Sequence, residues 1–312
     1  MSKKEGFNMV ERMIRYLSDS DYRFLANRAY GLNKNLSDEV FLKKLFKIKM
    51  GCDLNLENPV TYNEKLQWLK IHDRNPIYTS MVDKYEVKKI VAEAVGESYV
   101  IPTLGVWDTF DEIDLENLPR QFVLKCTHDS GSTVICKDKS SWNVNEARKK
   151  INSFLRKNYY YYSREWPYKN VQPRILAEKY MEDNSTAELR DYKFFTFDGV
   201  AKAMFIASER QDTSTETKFD FYDMEFNRLN IVNGHPNSGK EMKKPETFDE
   251  MRTLAETLSK GIPHLRVGFY EVNGKVYFGE FTFSHWGGIV PFVPEEWDYT
   301  FGEWLKLPDL RD

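Results

Sequence analysis

The sequence predicts an α+β fold in which a helical lead-in precedes a strand-rich body. Up to about residue 98, apolar residues recur at helical spacing between capping and stop signals. From about residue 99 the chain turns to short apolar runs separated by turn residues. Two extended pairs are joined by Asp198-Gly199 and Asn273-Gly274, dipeptides suited to two-residue hairpin turns.

Each element has a local reason. Phe7, Met9, Val10, Met13, Ile14 and Leu17 form one helical stripe, and Gly31 is a plausible stop. Ser37 caps a second helix carrying Val40, Phe41, Leu42, Leu45 and Phe46, which ends near Gly51. Thr61 with Glu64 makes a capping box before Leu66-Gln67-Trp68-Leu69. A further helix fits residues 80–95, with Gly96 after it. Residues 99–102 and 104–107 read as short extended pieces. Residues 121–126 and 133–137 read as two strands around the turn-rich segment Thr127-His128-Asp129-Ser130-Gly131-Ser132. Then come a helix at 144–157, a strand at 174–181, a hairpin at 191–197 and 201–208, and a strand at 219–222. A helix at 248–260, stopped by Gly261, precedes a second hairpin at 266–272 and 275–283. No internal repeat or low-complexity linker interrupts them.

Composition excludes several classes. The 312 residues carry 45 Lys plus Arg and 48 Asp plus Glu, a net charge of −3, which argues against a bulk nucleic-acid binder. No apolar run approaches the roughly 18 residues of a membrane span. Met1 to Gly6 leads into charged sequence without an apolar core, so a secretory signal is not expected and a cytoplasmic location is the default. Cys52, Cys126 and Cys136 contain no Cys-x-x-Cys, which argues against a disulfide scaffold or a cysteine zinc site.

Three segments offer chemistry. Lys125 ends a strand before a loop of small polar residues whose N–H groups suit a phosphate. Ala177-Glu178-Lys179-Tyr180-Met181, followed by Glu182-Asp183-Asn184, offers backbone donors and acceptors to a flat base. Glu280, with Thr282 on the same face, lies on the strand opposite Arg266-Val267-Gly268, where a carboxylate suits a hard cation on phosphate oxygens. Taken singly, each reads more readily as a solvated lysine, a buried strand or a paired surface carboxylate. Two other motifs are set aside. Gly234 to Lys240 matches G-x4-G-K, but Glu241 stands where Ser or Thr should hold magnesium, and Lys243-Lys244-Pro245 breaks the helix. Asp19-Ser20-Asp21 resembles the Asp-x-Asp of glycosyltransferases but lies in helical sequence, where a cap is expected. The five histidines do not cluster, and the Tyr159–Tyr162 run reads as half-buried packing.

In order and spacing, these segments resemble the ATP-grasp superfamily, and more closely its TupA-like (teichuronopeptide biosynthesis) family. The supporting stretches are Asn58-Pro59-Val60-Thr61-Tyr62-Asn63-Glu64-Lys65-Leu66-Gln67, Asp83-Lys84-Tyr85, residues 122–132, Asp191-Tyr192-Lys193-Phe194, residues 276–283 and Pro294-Glu295-Glu296-Trp297-Asp298. The resemblance implies an ATP-grasp fold, with two α+β subdomains clamping ATP. A helical N-terminal region would span residues 1–75. The ATP-grasp domain would span 76–312, with a lid subdomain at about 99–175 and a core at about 176–312. It implies Lys84 and Lys125 on the phosphates, and a lid carrying His128, Ser130, Gly131 and Ser132. Glu178, Lys179, Tyr180 and Met181 would hold adenine, with Glu178 on its amino group. Asp191 or Lys193 would face ribose or phosphates, Arg266 would stabilise the transferring phosphate, and Glu280 would bind Mg2+. The family pattern has Arg-x-Asp where this chain has Arg266-Val267-Gly268, so one expected metal carboxylate is missing. The implied activity joins a small amine to a glycan or nucleotide-sugar carboxylate, through an acyl phosphate, in surface-polysaccharide synthesis. A glycosyltransferase of the same pathways and a non-catalytic ATP- or glycan-binding module are the rivals.

Overall fold

The computed structural model describes residues 9–184, 188–210 and 215–309; Phe7 of the first helical stripe lies outside them. The lead-in comprises α1 (Met9–Ser18), α2 (Ser20–Ala29), α3 (Asp38–Met50), α4 (Tyr62–His72), α5 (Ile77–Val82) and α6 (Glu86–Val95). Next come β1 (Thr103–Trp107), β2 (Phe122–Cys126), β3 (Val134–Cys136), α7 (Val144–Leu155), α8 (Tyr160–Ser163) and β4 (Ile175–Lys179). The rest is β5 (Asp191–Phe197), β6 (Val200–Ser208), β7 (Lys218–Tyr222), β8 (Val232–Asn233), α9 (Phe248–Leu258), β9 (Leu265–Val272), β10 (Lys275–Thr282), β11 (Phe292–Val293) and α10 (Glu296–Trp304).

The predicted punctuation does its work. Ser37 Oγ accepts from Val40 N, Gly51 ends α3 at φ 78°, and Thr61 and Glu64 form the reciprocal capping box of α4. Asp19 caps α2 by accepting from Asp21 N and Tyr22 N, so that acidic triplet is a helix start. Both hairpins turn where expected, with positive φ at Asp198, Gly199, Asn273 and Gly274.

Two expectations need correction. The single helix at 80–95 is broken: Asp83 is extended (φ −68°, ψ 115°) and its Oδ1 accepts from Tyr85 N and Glu86 N. This local side-chain competition with the helix ladder ends α5 and restarts the chain as α6. Residues 99–102 are not an extended piece from their start, because Glu97–Tyr99 is a 3-10 turn and the strand begins at Thr103.

Two antiparallel sheets organise the body, a small one in the order β1-β4-β2-β3 and a large one in the order β10-β9-β5-β6-β7. In the small sheet Phe122, Leu124, Cys126, Ile175 and Ala177 pack on Ala147 and Ile151 of α7. One face of the large sheet buries Phe194, Met204, Val267 and Phe269 against α9 and α6. The other buries Phe195, Phe197, Phe205 and Phe221 against Tyr62 and Leu66 of α4 and Phe301 of α10. Each buried aromatic of this kind contributes about 1.5–3 kcal/mol. Strand alternation puts Asp191 and Lys193 on the same face as Phe195 and Phe197. That face is therefore aromatic at one end and charged at the other, and its charged end forms the candidate site.

Candidate active site

The charged end of the large sheet is built by register. Lys193 of β5 lies opposite Gly268 of β9, and Gly268 lies opposite Glu280 of β10. Thr282 likewise faces Arg266. Lys193 Nζ donates to Glu280 Oε1 at 2.8 Å and pairs with Asp191 Oδ2 at 2.9 Å. Arg266 Nη2 donates to Glu280 Oε1 at 3.1 Å and to Thr282 Oγ1 at 2.8 Å. Arg210 Nη1 donates to Asp191 Oδ2 at 2.7 Å. Burial would raise the Glu280 carboxyl, but Lys193, Arg266 and Lys84 together hold it well below the usual carboxylate range. Its side chain still exposes 43% of its surface.

A chain of hydrogen bonds fixes the Arg266 guanidinium. Asn233 Nδ2 donates to the carbonyls of Val290 and Pro291, both at 3.1 Å, which turns Asn233 Oδ1 toward His285 Nε2 at 2.9 Å. His285 therefore carries its proton on Nε2 and presents Nδ1 to Arg266 Nη1 at 2.5 Å. Burial, then the Arg266 charge, pushes the imidazole well below its ordinary pKa, so it stays the neutral acceptor this bond needs. The turn bearing His285 is held by α4. Gln67 Nε2 donates to Gly288 O at 2.7 Å and Lys70 Nζ to Gly287 O at 2.6 Å. Gly288 has φ 63°, and a Cβ there would come within 2.4 Å of Gln67 Nε2, so this contact requires glycine. Burial lowers the Lys70 ammonium to about 8.

The small sheet supplies the second group of charges. Lys125 of β2 and Glu178 of β4 project from one face, and Lys125 Nζ meets Glu178 Oε2 at 2.5 Å. Lys88 of α6 meets Glu178 Oε1 at 2.6 Å. Burial alone would lower Lys125, but the Glu178 carboxylate reverses that and raises it. Lys84 sits at the break between α5 and α6. Its N–H donates to Thr127 O at 3.1 Å, and its ammonium donates to the carbonyls of Cys126, at 3.2 Å, and Asp129. The broken helix thus delivers Lys84 to the loop that follows β2.

Within that loop only the tip is open. Ser130 and Gly131 are exposed, whereas His128, Asp129 and Ser132 are buried. Ser132 Oγ donates to Asp129 Oδ1 at 2.7 Å and accepts from Cys126 N at 2.8 Å, and His128 Nε2 bonds with Lys157 O at 3.0 Å. His128 and Ser132 therefore brace the loop from inside. After β4 the chain leaves the sheet through Tyr180. Lys179 N donates to Pro102 O at 3.0 Å, and Met181 packs with Ile101 and Val272 beside Tyr270.

The structure thus gathers Arg266, Glu280, Lys193 and Asp191 at one pole, and Lys125, Glu178 and Lys84 at the other. Glu178 does not offer a free carboxylate to an adenine amino group, because two lysines occupy it. The sequence reading missed Lys88, Arg210, Asn233, His285, Lys70 and Gln67. Lys88 alone carried a signal, four residues after Lys84. The segment 234–245 forms no helix, as expected, and α8 serves packing, with the Arg28 guanidinium 3.7 Å from the Tyr162 ring.

The model of a family described as TupA-like ATPgrasp matches residues 64–306, more than three quarters of the chain. The chain belongs to the TupA-like ATP-grasp family. Its segments Thr61–Gln67 and Pro294–Asp298 now have structural roles, since Asn63 N and Nδ2 both donate to Asp298, each at 2.9 Å. Among solved structures, the L-amino acid ligase from Bacillus licheniformis is 11% identical, with 70% of this chain and 47% of that chain covered and a TM-score of 0.43. The D-alanine-D-alanine ligase from Helicobacter pylori is 14% identical, with 73% and 61% covered and a TM-score of 0.41. The D-alanine-D-alanine ligase from Bacillus anthracis complexed with ATP is 13% identical, with 85% and 82% covered and a TM-score of 0.39. The chain thus spans about half the length of the first of these. No curated sequence matches it. Among the described residues, no helix is long and apolar enough to cross a membrane.

Proposed function

We propose that this TupA-like chain is an ATP-dependent carboxylate–amine ligase. The observation that carries the reading is the convergence on Glu280 of cations from separate elements. Lys193 and Arg266 touch it, and Lys84 lowers its pKa from the helix break. A polyanion bearing a reactive phosphoryl group suits such a site.

In this reading Lys84 and Lys125 bind the phosphates, and the tip Ser130-Gly131 covers them. His128 and Ser132 set the loop's shape. The main chain of Lys179 to Met181 takes the adenine edge beside the Ile101–Met181–Val272 wall, and Glu178 aims Lys125. Asp191 and Lys193 adjoin the ribose or phosphates. An oxygen of the substrate carboxylate attacks the γ-phosphorus, the bond to the β-bridging oxygen breaks, and ADP leaves. The amine nitrogen then attacks the acyl carbon, the carbon–oxygen bond to phosphate breaks, phosphate leaves, and the amine gives up a proton. Arg266, held by His285, bonds to the phosphoryl oxygens as charge shifts among them. Closure of the loop tip keeps water from the acyl phosphate.

The donor set fits one magnesium ion. Both cations engage Oε1 of Glu280, and neither engages the other oxygen. A single carboxylate together with nucleotide oxygens is a usual magnesium environment. When bound, the ion would neutralise phosphate charge.

The family's link to teichuronopeptide synthesis supports an amino acid as amine and a uronic-acid carboxyl of a surface polysaccharide precursor as acceptor. A screen of uronic acids with amino acids, ATP and magnesium tests this by its products. ADP and phosphate with an amide are expected; AMP and pyrophosphate would overturn the mechanism. The missing carboxylate at Gly268 favours one second reading, a nucleotide-binding module without turnover, which ATP binding without ADP release across the screen would support.

A further inference from the structure

This inference rests on the nucleotide reading above and deepens it. Lys193 Nζ lies between two carboxylates, 2.9 Å from Asp191 Oδ2 and 2.8 Å from Glu280 Oε1. Bridging two carboxylate oxygens is the position a cation takes in a binding site. Register places the ammonium over Gly268, the residue paired with Lys193 on one side and with Glu280 on the other. A Cβ at Gly268 would come within 3.1 Å of Lys193 Nζ and 3.5 Å of Glu280 Cγ. The absence of a side chain at 268 is thus what seats the ammonium. No positive φ requires glycine there, so a larger residue would press on the flexible end of Lys193 without straining the backbone. Among the described residues, no three His, Cys, Asp or Glu side chains converge as a metal site. Asp191 is committed to Lys193 and Arg210, and its Oδ1 is buried without a hydrogen-bond partner among the described residues.

We infer that Lys193, seated on Gly268, is a built-in counter-charge in the place of a second divalent cation, so that the nucleotide enters with a single metal ion. A triphosphate needs its charge offset where the γ-phosphoryl group transfers, and a second ion needs a second carboxylate free to ligate it. Here the second carboxylate, Asp191, is already neutralised by fixed cations. An ammonium held by two carboxylates needs no loading from solution, but it lacks the coordination sphere of a metal and supplies only charge and hydrogen bonds.

The experiment counts ions. The protein is saturated with the β,γ-imido analogue of ATP and titrated with Mn2+. Free Mn2+ is read by electron paramagnetic resonance, and retained nucleotide by absorbance after rapid ultrafiltration. The expected result is one tightly held Mn2+ per bound nucleotide in the wild type and two in Gly268→Asp, whose carboxylate would displace the flexible end of Lys193. Two ions per nucleotide in the wild type would overturn the inference. One ion in both proteins would also overturn it, because a restored carboxylate then creates no site. If the wild type retains no nucleotide, the ligase reading itself fails, and the absorbance arm shows this independently of the ion count.

Discussion

Glu178 on the small sheet and Glu280 on the large sheet each bind two cations, and they do so in opposite ways. Each oxygen of Glu178 takes its own lysine, and the side chain is 7% exposed. Both cations of Glu280 crowd onto Oε1, and the side chain is 43% exposed. Beside Glu280, Asp191 Oδ1 and Arg266 Nε are buried without hydrogen-bond partners among the described residues. A carboxylate with both oxygens filled is a fixed part that orients Lys125 and Lys88. A carboxylate filled on one side, flanked by unpaired polar atoms, keeps capacity for a ligand. Unpaired buried groups cost about 1–3 kcal/mol each, so such an arrangement lowers stability unless something binds there. The two acidic groups therefore separate holding from reacting.

The sharpest way to break this contrast is Arg266→Met. Turnover, read as ADP release, is expected to fall about 10²–10³-fold, the usual consequence of removing one transition-state donor. A loss under about tenfold would put Arg266 outside the reaction.

The aromatic end of the same face gives a second large effect, on stability. His264 donates from Nδ1 to Thr196 O at 3.0 Å and accepts from the Tyr62 hydroxyl at 2.8 Å, and burial pushes its pKa down to about 3. The unfolded chain takes up this proton near pH 6.5 and the folded chain near 3. Stability from the neutral ring is therefore complete above 6.5 and is lost as pH falls toward 3, by on the order of 5 kcal/mol. Urea unfolding of wild type and His264→Gln across this range should show a shallower slope in the variant. Parallel slopes would contradict the assignment.

Glu178→Gln comes next. It strands two partly buried ammoniums without their counter-ion, and a stability loss of about 3 kcal/mol is expected in denaturant titration. If turnover fell while stability held, Glu178 would belong with the reacting group. The smallest effect is expected at the loop tip, where Ser130→Ala should change the KM for ATP by less than about threefold, because the loop is shaped from within by Ser132 and His128. A larger change would assign the Ser130 hydroxyl a direct contact.

Local chemistry made the frame legible. Caps at Ser37 and Thr61, and the turns at Asp198-Gly199 and Asn273-Gly274, announced helices and hairpins through interactions within a few residues. Alternation put Arg266 with Gly268, and Glu280 with Thr282, on one face of each strand, whereas the pairing of Gly268 with Glu280 depends on a register shift between Phe278 and Glu280 that alternation does not show. What stayed hidden depends on distant partners. Lys84 read as a helix residue because its site is made by Asp83, which caps a break that helical periodicity does not show. Asn233 and His285 carry no motif, and Gln67 lies in a quoted stretch that does not show its partner. They matter because β8, the 285–288 turn and α4 converge, and the His285 tautomer is set by carbonyls 57 and 58 residues from Asn233. Glu178 was expected to face adenine, and only the fold shows that Lys88 reaches it.

Calorimetric titration of the protein with MgATP, repeated on Lys125→Met and Lys193→Met, tests the central claim that one polyphosphate spans the small-sheet and large-sheet charges. Saturable binding is expected in the wild type, with at least about tenfold weaker binding, 1.4 kcal/mol or more, in each variant. Undiminished affinity in both variants, or saturable binding of UDP-sugars in place of ATP, would contradict it.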